Sequence, residues 1–467
     1  MPLKKLFEPI KIGNCTLKNR IAMAPMNMGY SGPNGYISDH TLAWFATRAR
    51  GGFGLIITEC FVMNPHRWRG SDSLNPALFC DQRYYRFVSE LVELIHTYDD
   101  CKIFIQLSPG WGCQGHAGID SHDVPSGAAS PVPMKIDYRN LNKGFRKQFR
   151  RMVPGIDDAI KSVGYQGLDE LPDLNDEEYD IFHKKLADLL MQVQPDMKNY
   201  VQGETPRELD IHEIVDLEDR MAAQIRAAET LGFDGVEIHS PHGYMIHQFL
   251  SRRTNKRIDE YGGSIENRAR FLVNIIKKAR AKVGPDYPLG ARFSGDECMK
   301  DGVTVHEARE FVKMSYDAGI NFVNISQGGY ENPGKFFPDG EDEFTQYAPG
   351  FKDAGGGIPV ITPGFINPET AAKAIAEGKT DIISLGRQAV ADPYWPVKAH
   401  TGNVKDIIRC TRCDQCVMNL QEAKWAQCSV NVTAGKEKYF PELWLHDSSL
   451  VKKAEKIMKR NKGLPQI

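Results

Sequence analysis

Short apolar runs alternate with longer stretches that have helical spacing of apolar positions along this chain. Eight such runs recur, at residues 20–24, 54–58, 102–107, 235–239, 288–294, 322–326, 358–362 and 381–385. Strands that alternate with helices predict an α/β fold with a parallel sheet, and eight of them predict a (β/α)8 TIM barrel. In such a barrel the functional site forms at the carboxyl ends of the strands.

Polar residues and glycines follow the predicted strands. The set comprises Pro25, Thr58, Glu59, Gln106, His239, Arg292, Ser326, Gly364, Gly386 and Arg387. Because the carboxyl ends of parallel strands meet at one face of a barrel, we expect these residues to line one site.

One connection is much longer than the others. Residues 135–205, between the third and fourth strands, contain two amphipathic patterns. The first has apolar and basic positions at Leu141, Lys143, Phe145, Arg146, Lys147, Phe149, Arg150 and Arg151, and the second has apolar positions at Tyr179, Phe182, Leu186, Leu189, Leu190 and Val193, before Pro195. We predict a substrate lid, with surface decoration or a dimer contact as the alternative. The predicted division is a barrel at 1–134 and 206–402, an insertion at 135–205, and a cysteine-rich segment with a tail at 403–467.

Composition predicts an ordinary soluble enzyme. The chain has 467 residues, 41% hydrophobic and 25% charged, with a net charge of −2. The charge predicts no special affinity for nucleic acid or membrane, and neither an apolar signal core nor a run of 18 apolar residues is present. We therefore expect a cytoplasmic protein.

The fourth strand runs directly into His239, His242 and Tyr244. Two imidazoles three residues apart can both point at one acceptor oxygen, and the tyrosine can deliver a proton from the same side. A metal pair or buried structural histidines are the alternatives. A metal would require a further ligand, and Glu237 is expected to face the other side of the strand.

The last two strand ends predict a phosphate site. Gly364 and Gly386 allow tight turns that aim backbone N–H groups at an anion, and Arg387 adds a positive charge. The helices that follow are expected to open at Asn367-Pro368 and at Asp392-Pro393. Together with Gln106 and Arg292, these residues outline a planar phosphorylated ligand, which FMN fits.

Four cysteines are closely spaced, at Cys410, Cys413, Cys416 and Cys428. Four thiolates with no histidine between them suit a [4Fe–4S] cluster or a structural zinc ion, and the spacing alone does not separate the two. The other six cysteines are interpreted as reduced structural residues: Cys15, Cys60, Cys80, Cys101, Cys113 and Cys298.

Several motifs resemble the Old Yellow Enzyme family. They are HxxHGY to EYGGSxENR at 239–268, APM at 24–26, QL at 106–107, RFS at 292–294, TPGF at 362–365 and SLGRQAVADP at 384–393. The resemblance covers about residues 5–130 and 206–435. With its four cysteines, the chain is similar to the 2,4-dienoyl-CoA reductase branch, which includes enoate, bile-acid and flavone reductases of anaerobes.

The resemblance implies a role for each matching residue. FMN would contact Pro25, Met26, Cys60, Gln106 and Arg292, with its phosphate at Gly364, Gly386 and Arg387. His239 and His242 would bind the substrate carbonyl, Tyr244 would donate the proton, and the four cysteines would hold a [4Fe–4S] cluster.

Two positions depart from the family pattern. Asn27 stands where many relatives place a cysteine or threonine beside the flavin, and we predict that it contacts the substrate. The family's QLxHxGR becomes QLSPGWG at 106–112, which loses both the histidine and the arginine. The indole of Trp111 in this segment is interpreted as a flat wall for an aromatic substrate or as loop packing.

The resemblance implies an FMN-dependent ene-reductase that uses NADH or NADPH on an enone. We predict a bulky ring enone such as a flavone or steroid, with an enoate or a dienoyl-CoA as the alternative. No GxGxxG occurs in the chain, so electrons are expected to arrive from NADH directly, or through the cluster from an electron-donor protein. A non-catalytic electron-transfer subunit is the alternative from another class, and a homo-oligomer is possible.

Overall fold

Eight parallel strands close into a barrel in the computed structural model, which describes residues 2–32, 35–63, 79, 82–98, 100–114, 126–193, 205–421 and 424–445. The strands are β1 (Ile21–Met23), β2 (Leu55–Val62), β3 (Lys102–Ser108), β4 (Gly235–His239), β5 (Leu289–Ser294), β6 (Phe322–Ser326), β7 (Val360–Pro363) and β8 (Ile382–Leu385). Each strand pairs with the next along the chain, and β8 pairs with β1. The eight predicted strands and the TIM barrel are confirmed.

Helices lie in the connections between strands and after the last strand. They are α1 (Asp39–Arg50), α2 (Gln82–Ile95), α3 (Lys143–Met152), α4 (Ile156–Ser162), α5 (Asp176–Val193), α6 (Ile211–Thr230), α7 (Met245–Leu250), α8 (Ile265–Val283), α9 (Val305–Ala318), α10 (Pro333–Phe336), α11 (Ala348–Ala354), α12 (Pro368–Ala376), α13 (Arg387–Ala391), α14 (Trp395–His400) and α15 (Gln415–Gln421). Capping boxes at Asp210 and Thr304 start α6 and α9, because each side chain accepts a hydrogen bond from an otherwise unpaired N–H of the first turn. Across the described ranges, no helix is long and apolar enough to cross a membrane.

The amino end of the barrel is closed by apolar packing. A hairpin of Ile10–Ile12 and Cys15–Leu17 covers it, and the rings of Phe104 and Phe322 meet inside with centroids 5.4 Å apart. Gly290 makes room for the Phe322 ring, since a Cβ there would lie 2.5 Å from it. Within the described residues, the amino end of the barrel is therefore filled by side chains, and the predicted site lies at the opposite end.

Glu237 faces the barrel interior, and the expectation that it faces away from the histidines is wrong. Residues two apart on a strand point to the same side, so Glu237 and His239 share the inner face. The carboxylate accepts hydrogen bonds from Gln106 Nε2 at 2.6 Å and Asn324 Nδ2 at 2.7 Å. Burial raises the pKa of Glu237, and the nearby Arg292 opposes that rise.

The insertion between β3 and β4 contains the two predicted amphipathic helices, α3 and α5. Phe145 of α3 stacks on Phe337 with centroids 5.5 Å apart, and Tyr179 and Phe182 of α5 are buried. Helix α5 ends at Val193, as predicted, and Pro195 lies outside the described residues, as does Cys80. The described part of the insertion is therefore packed into the same apolar core as the barrel. The division into segments remains a prediction.

Candidate functional site

His242 lies in the turn after β4 with an unusual backbone conformation. Its φ of +66° is in the left-handed region, which is uncommon for residues other than glycine. Its backbone forms a bridge to Gly329, beyond β6, where a Cβ would lie 3.0 Å from the His242 carbonyl group. The close approach of these two loops supports the strained turn, which brings His242 Nδ1 to 3.2 Å from His239 Nε2.

Both histidines are neutral in this setting. Burial, and then the charge of Arg292, lower the pKa of His239 and of His242 well below the ordinary value. A neutral imidazole carries one N–H donor and one acceptor nitrogen. Because His239 Nε2 and His242 Nδ1 are close together, a single oxygen atom can lie within hydrogen-bond distance of both.

Tyr244 lies beside the histidine pair in an aromatic enclosure. Its ring centroid is 4.7 Å from that of His239, 4.3 Å from that of Trp111 and 5.6 Å from that of Tyr330. Burial, and then the interaction with Tyr330, raise the pKa of Tyr244 well above its ordinary value. The phenol therefore keeps its proton at neutral pH, as a proton donor must.

Sequence reasoning missed two residues of this enclosure, Tyr330 and Phe336. Tyr330 borders Tyr244, and the ring of Phe336 lies 4.0 Å from that of His242. Tyr330 follows β6 by four residues, so the strand-end rule that selected Ser326 could have reached it. Trp111 lies at the site, as predicted for a substrate wall, although its role stays a prediction.

A second set of predicted residues lies at the neighbouring strand ends. Met26 follows β1, and its sulfur would be 3.2 Å from a Cβ at Gly386, so the glycine permits the close approach of these two loops. Cys60 of β2 pairs in register with Gln106 of β3. Asn27 Oδ1 accepts a local hydrogen bond from the Gly29 N–H at 2.8 Å.

The predicted phosphate residues Gly364 and Arg387 differ in their surroundings, because Arg387 is already bonded to other groups of the protein. Gly364 has a φ of +104°, which a glycine readily adopts. The Arg387 guanidinium is 2.5 Å from Asp414 Oδ1 and donates to the Pro338 carbonyl at 3.0 Å. Arg387 is therefore already paired with the cysteine-rich segment.

Two helix starts were expected, one after β7 and one after β8, and only the first is found where it was expected. Helix α12 begins at Pro368 as expected, but Glu341 already accepts hydrogen bonds from the N–H groups of Ile366 and Asn367. After β8, the expected start at Asp392-Pro393 is wrong. Helix α13 begins at Arg387, and Asp392 ends it, because the Gly386 turn starts the helix directly after the strand.

The four predicted cluster cysteines lie in and around α15. The Cys410 N–H donates to Gln388 Oε1 at 2.9 Å, and Cys413 Sγ lies 3.1 Å from Ser429 Oγ. Within the described part of the chain, no three histidine, cysteine or acidic side chains are close enough to hold a metal ion. The choice between an iron–sulfur cluster and zinc stays a prediction.

The cysteine-rich segment packs against the loop after β1. Tyr30 donates a hydrogen bond to the Ala426 carbonyl at 2.6 Å, and the Ala426 N–H donates to the Met28 carbonyl at 3.0 Å. The same loop carries Pro25, Met26 and Asn27. The cysteine-rich segment is thus adjacent to the predicted flavin site.

Residues 5–152 and 147–406 match the model of the NADH:flavin oxidoreductase / NADH oxidase family. The chain belongs to this family. Membership confirms the resemblance to the Old Yellow Enzymes that the barrel and the strand-end residues indicated.

Other members of the NADH:flavin oxidoreductase family are similar over nearly the whole chain. A NADH oxidase of Thermoanaerobacter brockii is 32% identical over 451 residues, which cover 94% of this chain and 57% of that protein. A cinnamate reductase of Clostridium sporogenes is 28% identical over 484 residues, which cover 98% and 60%. The structure of a 2-naphthoyl-CoA reductase with 2-naphthoyl-CoA superposes with a TM-score of 0.74 at 27% identity, covering 93% of this chain and 58% of that one. The chain spans little more than half the length of these relatives.

FMN is the cofactor that family membership implies, and the strand-end residues fit it. Arg292 Nε is buried and has no hydrogen-bond partner among the described residues, so a donor is available to a polar ligand edge. Gln106 lies on the same inner face of the barrel. Gly364 and Gly386 would hold the phosphate through backbone N–H groups, whereas Arg387, which is bonded to Asp414 and to the Pro338 carbonyl, stays a predicted phosphate contact.

Proposed function

We propose that this chain is an FMN-dependent ene-reductase that reduces the C=C bond of an α,β-unsaturated carbonyl compound with NAD(P)H. The observation that carries the proposal is the neutral histidine pair beside a protonated tyrosine at one strand end. Reduction of an enone needs a hydrogen-bond donor for the carbonyl oxygen and an acid that protonates the α-carbon. The histidine pair and the tyrosine are these two kinds of group.

The chain's own residues supply polarisation and a proton. FMN, held by residues such as Met26, Gln106 and Arg292, would supply the hydride-transfer chemistry between NAD(P)H and the β-carbon of the substrate. N–H groups of His239 and His242 bind the carbonyl oxygen, where negative charge develops, so they stabilise the transition state more than the ground state. The Tyr244 phenol then gives its proton to the α-carbon. Burial of the site excludes water and strengthens each of these interactions.

The substrate we propose is a bulky ring enone. The aromatic enclosure of Trp111, Tyr244, Tyr330 and Phe336 suits a flat apolar group. The relatives named for cinnamate and 2-naphthoyl-CoA act on or bind compounds with aromatic rings. A free enone is preferred to a CoA thioester, because two arginines of the insertion are already paired with carboxylates: Arg146 with Asp169, and Arg150 with Asp157 and Asp169.

The four cysteines are proposed to hold a [4Fe–4S] cluster, and NADH is proposed to reduce FMN directly. The donor set supports the first part, since four thiolates are the usual ligands of such a cluster. The position of the cysteine-rich segment against the loop after β1 supports a role near the flavin. Anaerobic purification with absorption spectra and iron and zinc analysis tests the assignment, and zinc without iron would contradict it.

Turnover experiments test the activity itself. We would assay NADH and NADPH with flavones, steroid enones, cinnamates and enoyl-CoA esters, and then compare the wild type with Tyr244→Phe in separate half-reactions. The variant should keep FMN reduction by NADH and reduce the enone slower by about 10²-fold or more, which is the usual contribution of a general acid. Equal rates of both proteins in both half-reactions would refute the role of Tyr244, and no turnover of any C=C substrate would refute the proposed function.

A further inference from the structure

Ser326, at the carboxyl end of β6, lies between the histidine pair and Arg292. Its Oγ is 2.6 Å from His242 Nε2 and 3.3 Å from Arg292 Nη2. The side chain is 1% exposed, so its hydroxyl must satisfy its hydrogen bonds within the site. The proposed reaction gives this hydroxyl no role.

The direction of each hydrogen bond follows from the chemistry of the groups. A guanidinium N–H can only donate, so Ser326 Oγ accepts from Arg292. The serine O–H then needs an acceptor, and in the described residues the only one within hydrogen-bond distance is His242 Nε2. Since a neutral imidazole has a single N–H, the proton of His242 lies on Nδ1.

We propose that Arg292 and Ser326 hold His242 in its Nδ1–H form, which makes His242 the fixed donor to the carbonyl oxygen of the substrate. Ser326 is thus a positioning residue, acting through His242. The substrate in this inference rests on the proposed function, whereas the proton position on His242 does not.

The two histidines are consequently not equivalent. His242 Nδ1 is 3.2 Å from His239 Nε2, so in the free protein the His242 N–H points at the His239 lone pair. Since His239 Nε2 accepts that N–H, the single proton of neutral His239 lies on its buried Nδ1 in the free protein. A bound carbonyl oxygen can accept from His242 Nδ1 directly, whereas His239 must first move its proton to Nε2 to donate to the same oxygen.

The neighbouring strand offers a matched control. Ser294, at the end of β5, pairs in register with Ser326 and is also buried. Its hydroxyl donates to the Gly328 carbonyl at 2.9 Å instead of to a histidine. Ser294→Ala thus removes the same group one strand away, and Ser326→Thr keeps the hydroxyl at the position of interest.

The protonated nitrogen of His242 can be observed directly. Full-length protein with nitrogen-15 histidine would be studied by two-bond proton–nitrogen correlation, with the signals of His242 assigned from the spectrum of His242→Gln. We expect protonated Nδ1 and a hydrogen-bonded, unprotonated Nε2 in the wild type, in Ser326→Thr and in Ser294→Ala, and loss of this single form in Ser326→Ala. A proton on Nε2 in the wild type would overturn the proposal.

Turnover of benzylideneacetone, an aryl enone, gives the functional readout. Ser326→Ala should raise KM and lower kcat/KM roughly tenfold, the order of effect expected for one hydrogen bond, while Ser294→Ala and Ser326→Thr should stay near the wild type. His242→Leu should lose more activity than His239→Leu. Equal losses for the two alanine variants would overturn the role of Ser326. If the wild type does not reduce benzylideneacetone, the proposed function fails for aryl enones, and the proton position on His242 still decides this inference.

Discussion

The strand-end site and the cysteine-rich segment are held in place by different forces. His239, Arg292 and Ser326 belong to neighbouring strands of a closed barrel, so the backbone ladder sets their relative positions. The cysteine-rich segment has no strand in that barrel, and side-chain contacts such as Arg48 with Glu437 and Arg387 with Asp414 attach it. The barrel can therefore keep its site while the attached segment loosens, and this difference can be tested by substitution.

Breaking the buried ion pair should have the largest effect on the attached segment. Arg48 and Glu437 are 2.7 Å apart and nearly fully buried. Glu437→Leu leaves the arginine charge buried without its carboxylate, which should cost about 3–5 kcal/mol in the free energy of unfolding of this attachment. Limited proteolysis with mass spectrometry should show early cleavage within 405–445.

A double variant that removes both charges controls this experiment. Arg48→Met with Glu437→Leu removes both charges, and it should recover much of the loss because no unpaired charge remains buried. Early cleavage within the barrel strands of Glu437→Leu would contradict the view that the segment is attached independently.

Substitution of the buried barrel residue Glu59 should change the stability of the barrel. Glu59 is buried, and its Oε2 has no hydrogen-bond partner among the described residues. Burial raises the pKa of Glu59 from 4.5 to about 8, so the folded protein keeps a proton that the unfolded chain releases near pH 4.5. The free energy of unfolding should therefore fall as the pH rises from about 4.5 to about 8.

Glu59→Gln has no ionisable group at this position, so it should not show this fall in the free energy of unfolding as the pH rises. Relative to the wild type, its advantage in urea unfolding should grow between pH 5 and pH 8, by up to about 1.4 kcal/mol for each pH unit. Glu93→Gln, at an exposed carboxylate on α2, controls for the substitution itself. A constant difference between Glu59→Gln and wild type across this pH range would show that Glu59 is ionised in the folded protein.

The difference between the strand-end site and the side-chain attachments also explains which features could be predicted from the sequence. His239, Arg292 and Gly386 were found because each lies at or near the carboxyl end of an apolar run, and the fold brings all strand ends to one face. Glu237 was misplaced by ignoring the two-residue period of a strand, and Tyr330 was missed because it lies in a loop. The pairs Arg48–Glu437 and Asn142–Asp414 join residues far apart in sequence through single side chains, and no local pattern encodes such contacts.

Two side chains of the insertion, Asn142 and Gln148, form hydrogen bonds to the cysteine-rich segment; Gln148 Nε2 donates to the Cys413 carbonyl at 3.2 Å. Asn142 Oδ1 caps α3 by accepting from the Phe145 N–H at 2.7 Å, and its Nδ2 donates to Asp414 Oδ2 at 3.0 Å. Gly144 permits this close packing, since a Cβ there would lie 2.5 Å from Asp414. These contacts indicate that α3 braces the cysteine-rich segment, whereas the lid prediction places the insertion over the substrate.

Asn142→Ser should keep the helix cap but remove the hydrogen bond to Asp414. Of the substitutions considered, it should have the smallest effect. Serine also caps helices well, so α3 should persist, while the loss of the bond to Asp414 should cost about 1 kcal/mol. Hydrogen exchange should then speed up at 410–416 and stay unchanged at 143–152, whereas Asn142→Ala should loosen both. If Asn142→Ser instead changes only the KM of the enone, the insertion acts as a lid and its contact with the cysteine-rich segment is incidental.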